Sequence, residues 1–129
     1  MPSEVDLATS VLVVDDEPQV VWVLQFSLEA EGYQTFAAHN GLEALEEIAT
    51  HHPKLVVLDI MMPTMDGWAV LEELMKVPRH ERPRVVIVSA FASKNDRTKA
   101  AELGADAYVP KPFDIEELLS VLQRLDAAS

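Results

Sequence analysis

Short runs of branched apolar residues recur along this chain of 129 residues, and two of them run straight into aspartate. Val11-Leu12-Val13-Val14 is followed by Asp15 and Asp16, and Leu55-Val56-Val57-Leu58 by Asp59. An unalternated run of this length reads as a strand buried on both faces, and such strands belong to parallel sheets covered by helices. Open parallel sheets collect their functional groups beyond the carboxyl ends of the strands. If these two strands are neighbours, three carboxylates converge on one pocket. One aspartate at a strand end is commonly a turn former or a helix N-cap. Three, each placed directly behind an apolar strand, point to a shared site. Like charges repel, so the cluster requires a cation, and compact hard oxygen ligands favour Mg²⁺ over zinc or copper.

Two further runs complete the set. Val85-Val86-Ile87-Val88 ends in Ser89, and Ala107-Tyr108-Val109 leads into Pro110-Lys111-Pro112. A carboxylate nucleophile, a metal site, a hydroxyl donor and a fixed cation are the parts phosphoryl transfer needs, because its catalysis is mostly positioning and charge neutralisation.

Helix signals alternate with these strands. A first helix follows Pro18, a residue suited to a first turn, and runs to about Glu31 before Gly32. A strand is expected near Tyr33–Ala38. A second helix opens at Asn40, with Glu43 at capping-box spacing, and ends before Pro53. A third begins near Gly67-Trp68 and ends before Pro78. A fourth starts around Ser93–Asp96 and ends at Gly104. A fifth opens at Asp114, with Glu117 at the capping-box position and Ile115, Leu118, Leu119 and Leu122 on one face. Five β–α units imply an α/β fold, a doubly wound parallel sheet with right-handed crossovers. Residues 1–9 read as an N-terminal extension, 10–125 as one domain and 126–129 as a tail.

Composition narrows the function. Apolar content of 49% suits a folded domain, and the absence of cysteine removes disulfides, thiolate metal sites and thiol nucleophiles. No leader and no membrane-spanning run is read, so a soluble cytoplasmic protein is expected, with no membrane partner. The formal net charge is −12, and residues 1–53 hold no Lys or Arg against ten Asp and Glu. That balance disfavours direct nucleic-acid binding, which needs a basic face. Seven of the ten basic residues lie between Lys76 and Lys99 and read as solvated surface. The four histidines have no metal-ligand spacing and read as exposed.

The segments VLVVDDEP (11–18), LVVLDIMMPTMDG (55–67), VVIVSA (85–90) and GADAYVPKPF (104–113) together resemble the receiver domain of two-component response regulators. The resemblance implies a flavodoxin-like (βα)5 fold with strand order 2-1-3-4-5, which brings the first and third strands together. It implies that Asp59 is the phosphoacceptor, taking a phosphoryl group from a sensor histidine kinase or a histidine phosphotransfer protein and passing the signal to a downstream output protein or domain. It implies Mg²⁺ held by Asp16, Asp59 and the backbone carbonyl of Met61, with Asp15 acting through water or orienting Asp16. Lys111 would bridge to the carboxylate and then to a phosphoryl oxygen. Ser89 and Tyr108 would form the switch, and Lys111-Pro112 matches the family's cis bond. Receivers of winged-helix transcription factors carry Asp where this chain has Ala107 and Arg where it has Val121. Their absence favours a stand-alone or differently wired receiver.

Two other classes share parts of this pattern. A flavodoxin-like cofactor module needs a Gly/Ser/Thr-rich phosphate loop where this chain has Asp-Asp-Glu-Pro. A phosphatase with an aspartate nucleophile needs an acid two residues later, where this chain has Met61. On the first helix, Val20, Val23, Leu24 and Leu28 read as the core stripe. That leaves Val21, Trp22 and Phe26 as an outer apolar patch for partner docking. Met61 and Phe91 flank the expected water path to the acceptor and are both bulky and apolar.

Overall fold

A computed structural model of the protein describes residues 8–128. The apolar runs form five strands: β1 (Ser10–Val14), β2 (Gln34–Ala38), β3 (Leu55–Asp59), β4 (Arg84–Ser89) and β5 (Ala107–Pro110). All are parallel, in the order β2-β1-β3-β4-β5. Consecutive strand residues point to opposite faces, and both faces are apolar here. Leu12, Val14, Val56, Leu58, Val85 and Ile87 join one core cluster; Val11, Val13, Leu55, Val57, Val86 and Val88 join the other.

Five helices cover the two faces: α1 (Pro18–Ala30), α2 (Gly41–His51), α3 (Gly67–Leu74), α4 (Lys94–Glu102) and α5 (Ile115–Ala128). Ala44 of α2, Val70, Leu71 and Leu74 of α3 and Ala100 of α4 lie in the first cluster. Val21, Leu24 and Leu28 of α1, with Leu118, Val121 and Leu122 of α5, lie in the second. This is the flavodoxin-like (βα)5 sandwich that the resemblance implies. No described helix is long and apolar enough to cross a membrane.

Local chemistry sets the helix starts. Asn40 caps α2 by accepting from the Glu43 N–H, while Glu43 reaches back one residue further than a capping box, to the His39 N–H. Asp66 caps α3 by accepting from the Ala69 N–H. Ser93 and Asp96 form a reciprocal capping box on α4. The first turn of α5 closes through the Asp114 carbonyl, which accepts from Glu117 and Leu118.

Three expectations change. Val21 is buried and belongs to the core stripe, whereas Val23 is 51% exposed. Residues 19–24 are apolar almost throughout, so the helical phase is chosen by packing against α5 and the sheet rather than by local pattern. The stripe is Val21, Leu24 and Leu28, and Val21 is not part of a docking patch. Residues 126–128 continue α5 instead of forming a tail, tied down by Asp126, which accepts from Thr9 Oγ1 and pairs with Lys54 at 3.0 Å. Val121 joins the α5 core face with Leu118 and Leu122. Most of the expected extension, residues 1–7, lies outside the described residues.

Candidate functional site

Strand register brings the carboxylates together. Val14 of β1 pairs with Leu58 of β3, so Asp15 and Asp59 leave adjacent strands at the same level. One carboxylate oxygen from each of Asp15, Asp16 and Asp59 lies within 4.8 Å of the others. Asp15 and Asp59 are buried and Asp16 is exposed. Lys111, one residue beyond β5, places Nζ 3.0 Å from Asp15 Oδ2 and 3.3 Å from Asp59 Oδ2. One ammonium therefore faces three carboxylates, a negative excess suited to a hard cation. The Lys111-Pro112 bond is cis, as the resemblance implies.

The backbone fixes these side chains. Asp15 Oδ1 accepts from the Glu17 N–H at 2.9 Å, and Asp59 Oδ1 from the Met61 N–H at 3.3 Å. Burial pushes the Asp59 carboxyl above the ordinary aspartate range; Lys111 pulls it down and Asp15 pushes it up again. Lys111 itself is raised: burial lowers it, but the hydrogen bond it donates to Asp15 and the charge of Asp59 outweigh that.

Ser89 ends β4, fully buried, and its Oγ accepts from the Phe91 N–H at 3.0 Å. The Tyr108 hydroxyl donates to the Phe91 carbonyl, and the Arg97 guanidinium sits 5.3 Å over the Tyr108 ring. One peptide segment thus meets both hydroxyls. Phe91 and Met61 each leave their side chain 56% exposed.

Two glycines absent from the expected site fasten the loop after Asp59. Gly67 donates to the Ile60 carbonyl at 2.8 Å, and a Cβ there would lie 2.5 Å from the Asp59 carbonyl oxygen. Gly41 donates to the Met65 carbonyl at 2.9 Å, and a Cβ there would lie 2.6 Å from that oxygen. Only glycine lets α2 and α3 start this close to the loop. The available signal was the repeated dipeptide, Asn40-Gly41 and Asp66-Gly67, in which a capping residue precedes glycine.

On the α1 side, Trp22 and Phe26 are 65% and 64% exposed and stack with ring centroids 5.5 Å apart. Beside them an apolar groove is lined by Val20, Val23, Leu24, Phe113 and Ile115. All four histidines are exposed.

The model of the response regulator receiver domain matches residues 11–123. The chain belongs to that family. It is 42% identical over 123 residues to the probable transcriptional regulator ycf27 of Porphyridium aerugineum, covering 92% of this chain and 50% of the relative. It therefore spans about half the length of that relative. Among solved structures, a CheY-like receiver domain protein from Methanospirillum hungatei is similar, with TM-score 0.84, 30% identity and coverage of 93% of this chain and 95% of that one. The response regulator TrrA of Thermotoga maritima, solved with Mg²⁺ and BeF, is similar with TM-score 0.80, 33% identity and coverage of 91% and 98%. A receiver domain of a histidine kinase from Syntrophus aciditrophicus gives TM-score 0.85, 32% identity and coverage of 94% and 92%.

Proposed function

We propose that this receiver domain takes a phosphoryl group onto Asp59 from a phosphohistidine of a sensor kinase or phosphotransfer protein. The observation that carries the reading is Lys111 bridging Asp15 and Asp59 where β1, β3 and β5 end. An Asp59 carboxylate oxygen attacks phosphorus, the P–N bond breaks, and the imidazole leaves with that electron pair. Lys111, already aimed at Asp59, transfers its hydrogen bond to a phosphoryl oxygen. Ser89, whose oxygen accepts from the Phe91 N–H, turns its hydroxyl hydrogen to donate to another. Asp16 and Asp59, with Asp15 and the Met61 carbonyl, suit Mg²⁺, which when bound neutralises charge on the phosphoryl oxygens. Tyr108 follows Ser89 through Phe91 and changes the surface that the output partner reads. That partner is a separate protein or, given the longer relative, a second domain.

The test is labelling with acetyl phosphate. Intact mass should show one added phosphoryl group with Mg²⁺, mapped to the peptide that holds Asp59, and none when the metal is chelated. A label elsewhere, or one indifferent to chelation, overturns the assignment.

Trp22 and Phe26 make the docking surface for the phosphodonor, together with the groove formed by Val23 and Phe113. An exposed aromatic pair is the kind of anchor that carries binding energy. Trp22→Ala should slow transfer from the cognate kinase roughly tenfold or more, while acetyl phosphate labelling stays unchanged. Equal loss with both donors would place Trp22 in the fold instead.

A further inference from the structure

The ends of the sheet are chemically opposite. At the amino ends of β3, β4 and β5, away from the carboxylates, lies a cavity of about 580 Å³. Lys54, Arg79, Arg82 and Arg84 line it, with the imidazoles of His52 and His80. Two carboxylates, Glu81 and Asp106, share the lining. A cationic hollow in a chain of net charge −12 is a local inversion of field.

Most of the charges are already engaged. Asp106 Oδ1 serves both Arg79 and Arg84 at 3.4 Å, and its Oδ2 accepts from the Val85 N–H at 2.8 Å. Lys54 pairs with Asp126, and His80 lies 3.5 Å from Glu81. Arg82 differs. Among the described residues it has no carboxylate partner, its Nε is buried without any hydrogen-bond partner, and its Nη1 meets only the sulfur of Met75 at 3.4 Å. A thioether is a weak acceptor. A guanidinium held this way, with neighbouring guanidiniums two and three residues away, has donor capacity that the protein does not fill.

We propose that this cavity binds a small molecule carrying two or more phosphate groups, at a site separate from Asp59. Guanidinium forks match phosphate oxygens in pairs, and several on one concave wall suit linked phosphates. The volume lies in the range of small-molecule sites. An extended polyanion such as nucleic acid or an acidic bilayer would also meet the negative surface of a chain of net charge −12, whereas a ligand small enough to enter the hollow meets chiefly the cations that line it, so the small ligand is the occupant.

The probes are inorganic triphosphate and ATP, added to the full chain without Mg²⁺ and followed by amide chemical shifts. Saturable shifts are expected at Arg82, Arg84, Gly104 and Asp106, and none at Asp59, Ser89 or Lys111. Arg82→Met should weaken binding about tenfold or more, the loss of a charge-assisted contact. Asp59→Asn should leave it unchanged. Arg82→Lys keeps the charge and loses the fork, so it should also weaken binding, and it serves if the methionine variant does not fold. Response to both probes supports recognition of the phosphates. Response to ATP alone, shifts reproduced by sodium chloride of equal ionic strength, or binding indifferent to both Arg82 variants overturns the proposal.

Discussion

Asp59→Asn is expected to accept no phosphoryl group and to melt above the wild type. The amide keeps the oxygen that accepts from the Met61 N–H, but it is no nucleophile, so the loss of labelling should be complete. The gain in stability has a separate cause. Burial and Asp15 disfavour the ionised form of Asp59 more than Lys111 favours it, so its folded pKa is raised. The native state then binds this proton more tightly than the unfolded chain, and ionised Asp59 costs stability above the unfolded pKa. Stability of the wild type should rise as pH falls through the raised folded pKa, and the gap to the variant should close there. For a domain of this size each kcal/mol of relief moves Tm by about 3–5 °C. Lys111 keeps Asp15 as its partner at 3.0 Å. Thermal melts from mildly acidic to neutral pH check the sign. A variant that melts lower than wild type throughout contradicts the account of the charge.

A second large effect is expected on phosphoryl lifetime. Met61 and Phe91 follow Asp59 and Ser89 by two residues, and their N–H groups bond to those two side chains. Their own side chains are exposed and apolar at the rim. Neither offers more than a weak acceptor to a water approaching opposite the leaving aspartate. Positioning a water by general base catalysis contributes ~10²–10⁴-fold, and neither of these two side chains is a base that could supply it. The double variant Met61→Asn with Phe91→Glu should therefore lose its phosphoryl group ~10²-fold faster, at the low end of that range because neither new group is preorganised. A time course after removal of acetyl phosphate measures it. Equal rates would mean that water reaches the acceptor by another path.

The carboxylates were legible because a parallel sheet turns a sequence pattern directly into a place: each apolar run ends at the same edge. Asp15, Asp16, Asp59, Ser89 and Lys111 needed only strand ends to be found, while the strand order came from the family resemblance. The face of α1 was not legible. Five successive apolar residues from Val20 to Leu24 support more than one helical phase, and the choice rests on contacts with α5 that lie far along the chain. The glycine contacts were hidden for a related reason. The Asp66-Gly67 dipeptide marks a helix start, but it does not say that the Asp59 carbonyl will lie where a Cβ would stand. Asp106 likewise shows no role of its own until β4 and β5 pair and Arg84 comes within reach.

Phe91 gives its N–H to Ser89 and its carbonyl to Tyr108. Two hydroxyls that hold opposite ends of one residue cannot move independently, and linkage then runs in both directions. If a phosphoryl group on Asp59 draws Ser89 toward it and so displaces Tyr108, any protein that binds better to the displaced tyrosine stabilises the phosphorylated form by the same factor. Kinase and output partner would then act on one equilibrium from its two ends, and the amount of output protein present would help decide how fully the receiver is charged.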